Sequence, residues 1–205
     1  MTDDLHPDTA LQLLQEIERD ETVTQRSLAT RLGIALGLTN AFLRRCIRKG
    51  WVKAQKVPPR RYAYFLTPQG FSEKRRLTQQ YLARSLHFYR QARAECREAL
   101  LACRARGWNR VVLYGAGDLA EIATLATRET GVELVGVIVT DAGGRHLTGL
   151  NKLQNATPLL DADAVLLTDI TQPQESYERL VGAWPPERIH TLPLLHITVS
   201  PDRNQ

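Results

Sequence analysis

Apolar and polar positions along the first hundred residues follow a helical period, broken twice by extended segments. Pro7 to Arg19 carries Ala10, Leu13, Leu14 and Ile17 on one face, the spacing of an amphipathic helix. Asp20-Glu21-Thr22 interrupts it. Thr24 is placed to cap a second helix that runs through Leu28 and Leu32 and stops at Gly33. A third helix is predicted from about Leu36 to Lys49, with Ile34, Thr39, Leu43 and Cys46 or Ile47 inward. Gly37, Leu38, Asn40, Ala41, Arg44, Arg45 and Arg48 are expected to face away from the core. Gly50 ends that helix. Trp51 to Val57 and Tyr62 to Leu66 read as strands around the stiff basic turn Pro58-Pro59-Arg60-Arg61.

Thr67-Pro68 is a helix opening, and nothing after Gly70 breaks the following run until Gly107. Leu77, Tyr81, Ser85, Phe88, Ala92, Cys96, Ala99 and Cys103 recur in steps of three and four, and Leu82, Leu86 and Tyr89 widen the stripe. A helix of roughly 55 Å exceeds one small domain. Part of its stripe is therefore expected to pack on a second copy, a homodimer that presents two recognition helices to half-sites roughly 34 Å apart.

Beyond Gly107 the period changes. Arg110–Tyr114, Val132–Val139, Asp163–Thr168 and Ile189–Leu192 read as short strands, with helices over Glu121–Glu129 and Glu175–Val181. The turn after the first of these strands is Gly115-Ala116-Gly117-Asp118-Leu119-Ala120, a GxGxxA in its required strand–turn–helix setting. Gly115 suits the tight turn, Gly117 lets a phosphate approach the backbone, and Ala120 allows close helix packing. Asp141, at the end of the second strand, is a candidate acceptor for a ribose diol or else a capping residue. Thr168 is expected at the same crevice. The fold class expected is an α+β winged helix-turn-helix (1–67), a long linker and dimerisation helix (68–107) and an α/β Rossmann-like parallel-sheet domain (108–205).

Charge sharpens this division. Between Thr22 and Ser72 there is no Asp or Glu but ten Lys or Arg, eight of them from Arg44 to Arg61. Residues 1–107 hold 20 basic and 10 acidic residues, net +10, against 7 and 12, net −5, for 108–205. Such a stripe suits double-stranded DNA, whose neutralised phosphates release counterions. The candidate DNA-binding residues are Gln25, Arg26 and Ser27 at the start of the second helix, Thr39, Asn40, Arg44, Arg45 and Arg48 on the third, and Arg60 and Arg61 at the wing tip. Asn40 is suited to adenine, and Arg44 to guanine or a phosphate.

Three cysteines without metal-ligand spacing, Cys46, Cys96 and Cys103, fit reduced thiols in packed surroundings. The acidic, polar amino terminus and the lack of a long apolar run predict no signal peptide, no membrane span and a cytoplasmic protein. Five scattered histidines, with His146 beside Gly143-Gly144-Arg145, form no acid–base set. No catalysis and no metal are expected.

From about Asp8 to Arg90, the stretches QRSLATRLGIALGLTNAFLRRCIRKGWVKAQ and YAYFLTPQGFSEKRRLT resemble MarR-type winged-helix regulators, most closely the branch associated with exopolysaccharide gene clusters. The turn at Pro58–Arg61 is shorter than that family's usual wing. The resemblance implies a DNA-binding transcription regulator. RVVLYGAGDLAEIA, GVELVGVIVTD and LLDADAVLLTD resemble the small Rossmann-like domains of sugar-nucleotide enzymes and sugar acyltransferases. They also resemble the CoA-binding-type fold of Rex redox repressors, which join a winged helix to a Rossmann domain and sense NADH/NAD. A nucleotide-type effector is implied, a sugar nucleotide favoured and NAD(H) the alternative. A ligand-free scaffold is the third reading.

Overall fold

The computed structural model describes residues 6–58, 61–139, 152–153 and 162–198. Its contacts divide the chain into two compact units, Met1–Leu86 and His87–Gln205. The division falls inside the long helix, so residues 68–107 do not form a separate unit. The first half of that helix belongs with the winged helix and the second half with the α/β fold.

In the first unit, α1 (Pro7–Arg19) buries Ala10, Leu11, Leu13, Leu14 and Ile17. α2 (Gln25–Leu32) begins in a capping box, in which the Ser27 N–H donates to Thr24 Oγ1 and the Thr24 N–H donates to Ser27 Oγ. It ends at Gly33, whose φ of 64° is the left-handed conformation that glycine adopts without penalty. α3 (Leu36–Arg48) buries Thr39, Leu43 and Cys46. Ile47 is exposed, which resolves the choice between it and Cys46. β1 (Val52–Val57) and β2 (Arg61–Leu66) pair antiparallel, from Val52 opposite Leu66 to Val57 opposite Arg61.

α4 (Pro68–Ala105) starts as the sequence predicts, with the Gly70 N–H donating to Thr67 Oγ1 at 3.0 Å. Leu77 lies in the winged-helix core, whereas Ala92, Cys96, Leu100 and Cys103 lie in the core of the second unit. Every residue from Gln79 to Gln91 is exposed.

The second unit is a parallel sheet of five strands in the order β5-β4-β3-β6-β7, formed by β3 (Arg110–Tyr114), β4 (Glu133–Ile138), β5 (Lys152–Leu153), β6 (Ala164–Leu167) and β7 (Ile189–His190). Four of these are the predicted strands. β5 was missed because Lys152-Leu153 carries no apolar run. β3 and β6 are buried along nearly their whole length, as a parallel sheet covered on both faces requires. α5 (Asp118–Thr130) packs Leu119, Ala120, Ala123 and Ala126 into the same core, and α6 (Pro173–Val181) adds Leu180. The strand order reverses between β3 and β6, and in open α/β sheets the crevice lies at the carboxyl ends of such strands.

Candidate nucleic-acid interface and glycine-turn crevice

α3 presents its outer face much as its sequence pattern implies. Arg44 and Arg48 are exposed and Arg45 is half-buried. Together with Gly37, Ala41 and Phe42 they line an open hollow of about 610 Å³. Space beside Gly37 is open, with nothing within 4 Å of where a Cβ would stand. Lys53 and Lys56 on β1 are also exposed. Arg31, although inside the acid-free stretch, turns back to α1, bonded to Glu16 at 2.9 Å and Asp20 at 3.4 Å. Its positive charge is thereby neutralised within the fold.

Three expected DNA contacts need correction. Thr39 is fully buried, and its hydroxyl donates to the Ala35 carbonyl at 3.2 Å, because its position on α3 faces the core. Asn40 is half-buried, with Oδ1 buried and lacking a partner among the described residues. Bidentate pairing with adenine requires both amide atoms to be presented, so this geometry does not offer it. Ser27 has both donors engaged at Thr24: its N–H at Oγ1 (3.1 Å) and its hydroxyl at the carbonyl (3.0 Å). The helix start therefore leaves the Gln25 and Arg26 N–H groups as its open donors. Arg60 and the Arg61 side chain lie outside the described residues.

The glycine turn has two unlike halves. Gly115 has a φ of 104°, and a Cβ there would stand 2.5 Å from the Asp169 N atom, so the turn demands glycine on two counts. Gly117 precedes α5 with no side chain capping the helix and nothing within 4 Å of a notional Cβ. Ala116 is half-buried beside it. Leu119 is fully buried, so it can offer a ligand only backbone. Asp118 is exposed and, with Glu121, brings negative charge to the first turn of α5. That charge opposes an anion where the helix dipole would otherwise attract one.

Thr168 is corrected from ligand contact to structural tie. It is buried, and its Oγ1 lies 3.1 Å from the Tyr114 carbonyl and 2.7 Å from that of Gly115. Next to it, Asp169 accepts from the Thr171 N–H at 2.8 Å and from the buried Ser176 hydroxyl at 2.6 Å, anchoring the start of α6. Nothing in the sequence distinguished a crevice-facing Thr-Asp from one folded inward. Asp141, Arg145 and His146 lie outside the described residues.

The three thiols are buried, and burial raises each well above its ordinary value: Cys46 to about 11, Cys96 to about 12 and Cys103 to about 11. No group of three or more His, Cys, Asp or Glu suited to a metal occurs among the described residues. No helix among them is long and apolar enough to cross a membrane.

Residues 7–53 match the winged helix-turn-helix DNA-binding family. No curated protein matches the chain. Among solved structures it is similar to the PcaV transcriptional regulator of Streptomyces coelicolor, at 22% identity and a TM-score of 0.37 over 39% of this chain and 60% of that one. It is also similar to MarR of E. coli, at 26% identity and 0.32 over 34% and 53%. The chain thus spans between half and two-thirds of the length of these regulators. A likeness along nearly the whole chain is to human N-acetylserotonin methyltransferase, at 12% identity and 0.31 over 90% and 76%. That last finding corrects the expectation of a protein without catalysis, although it is too distant to assign a reaction.

Proposed function

We propose that this chain is a MarR-type transcription regulator that binds double-stranded DNA as a homodimer, and that its α/β unit takes a nucleotide-type effector. The observation that carries the reading is the exposed positive surface of α3 and β1. Arg44, Arg48 and Lys53 stand exposed on a stretch without a carboxylate, in the part of the chain that matches the winged-helix family, and Lys56 stands exposed just beyond it. The recognition helix would enter a major groove, while Arg26 and the start of α2 meet the backbone. The exposed middle of α4, with Tyr81, Leu82, Leu86, Phe88 and Tyr89 each 37–52% exposed, supports a second copy as the partner of that apolar face.

For the effector, the open turn at Gly117 leaves room for a ligand to approach the backbone, and a sugar nucleotide in polysaccharide-related gene control is preferred on the resemblance of this segment, against the negative charge that Asp118 and Glu121 bring to the helix start. Effector binding acts only through differential affinity for the DNA-competent arrangement.

Footprinting and equilibrium binding on the DNA upstream of the gene test the proposal. Binding should weaken with salt, by about 0.9 in log–log slope for each phosphate neutralised, and Arg44→Ala with Arg48→Ala should flatten that slope by roughly 2 per subunit, about 3–4 for the dimer. Affinity independent of salt, with the double variant unchanged, sinks the regulator. Thermal shift with UDP-sugars, NADH, NAD and CoA separates the effectors. A saturating ligand at 100 Kd stabilises by about 2.7 kcal/mol, and a response to NADH alone would replace the sugar nucleotide with a Rex-type reading.

A further inference from the structure

Tyr64 on β2 is only 3% exposed, and its ring belongs to the winged-helix core. Its N–H donates to the Glu21 carbonyl at 3.0 Å, tying the wing strand to the segment that leads into α2. Its hydroxyl oxygen accepts from Gln25 Nε2 at 3.1 Å. The phenol proton finds no acceptor among the described residues. A buried hydroxyl ordinarily gives its proton to something.

The same hydroxyl-bearing side chain lines an open hollow of about 380 Å³, shared with Thr24, Gln25, Arg26, Leu36 and Tyr62. Apart from the Gln25 Oε1 carbonyl, an acceptor, the hydrogen-bonding groups left over there among the described residues are donors or neutral hydroxyls: Tyr64, Tyr62, the Arg26 guanidinium, and the first-turn N–H groups of Gln25 and Arg26. The next two amides are taken, Ser27 by Thr24 Oγ1 and Leu28 by the Thr24 carbonyl. No carboxylate among the described residues lines the hollow. Leu36 and Tyr62, both exposed, add apolar surface of the kind a deoxyribose lies against.

We infer that this hollow holds one DNA backbone phosphate, with Tyr64 as its buried donor and as the positioning residue for Gln25. The inference rests on the DNA-binding reading and adds to it a wing-strand residue that neither charge nor the helix-turn-helix pattern singles out. A donor to an ionised oxygen makes a hydrogen bond about twice as strong as a neutral pair. Held at fixed depth by the core, Tyr64 sets the distance between the start of α2 and the duplex.

The test is a methylphosphonate scan of the bound duplex, in which each backbone phosphate in turn is made neutral, read by fluorescence anisotropy with the full chain. Wild type should lose about tenfold at one phosphate per half-site. Tyr64→Phe should lose a similar factor on the unmodified duplex and become indifferent to that phosphate. Gln25→Ala, which leaves the core untouched, should weaken sensitivity at the same position, so the inference does not depend on how well Tyr64→Phe folds. Wild-type affinity in both variants, or an unchanged scan, overturns it while leaving the regulator standing. A wild-type protein that binds no duplex sinks both.

Discussion

His190 pairs edge-on with Trp108, their ring centroids 5.7 Å apart, in a half-buried site where its Nε2 has no partner among the described residues. Burial, and then the nearby Arg106 guanidinium, hold its pKa below the ordinary 6.5. The unfolded chain therefore binds the proton more readily. This contribution to stability is fully present above pH 6.5 and is lost as pH falls toward the lower, folded-state value. Urea midpoints measured from pH 7.5 down to 5 should decline more steeply for wild type than for His190→Phe, and parallel curves would refute it. The cysteines give a second outcome at this scale. With thiol pKa values pushed to about 11 or 12, Cys46, Cys96 and Cys103 should stay unmodified by a disulfide reagent in native buffer at pH 8 and react only on unfolding. Rapid native labelling would show that a thiol is reached by solvent in the folded protein.

At the scale of elements, the start of α4 illustrates how one small residue joins two segments. Thr67 donates its hydroxyl to the Gly50 carbonyl at 2.5 Å and its N–H to that of Trp51 at 3.1 Å, drawing the helix start onto the turn that leads into β1. A Cβ at Gly70 would stand 2.0 Å from the Trp51 carbonyl oxygen. Gly70→Ala should therefore destabilise the winged helix by roughly 1–3 kcal/mol, read as a lower denaturation midpoint. An unchanged midpoint would mean that the close approach is dispensable. The Thr24–Ser27 box acts in the same spirit at α2. It fixes where the helix begins and so which amides stay open toward a phosphate.

For the whole molecule, the decisive feature is the α4 segment from Gln79 to Gln91. Its stripe continues the helical period of Leu77 and Ala92, yet Tyr81, Leu82, Leu86, Phe88 and Tyr89 remain exposed. Leu82→Glu with Leu86→Glu should shift sedimentation from dimer to monomer. It should also lower operator affinity by about 10²-fold or more, because two linked half-site contacts become independent. A variant that stays dimeric and binds as before would assign the stripe to another partner.

Helix and strand positions were legible where local signals suffice. Residues 7–19 have one apolar face, Thr24 and Gly33 bracket α2, Thr67-Pro68 opens α4, and Gly115 sits in a strand–turn–helix order that permits little else. The basic, acid-free stretch likewise belongs to the sequence, since charge composition survives any folding detail. What each polar side chain does was decided only in three dimensions. Thr39 lies inward as the helical period places it, against the DNA contact also expected of it, while Asn40 depends on a rotation of α3 that a residue of register changes, and Ser27 and Thr168 turn to backbone carbonyls of their own fold. Tyr64 reads as one more strand aromatic until β2 is paired and its hydroxyl meets Gln25, 39 residues away. Periodicity reports which face of an element is buried, whereas a hydrogen-bond partner depends on long-range packing that no local pattern encodes.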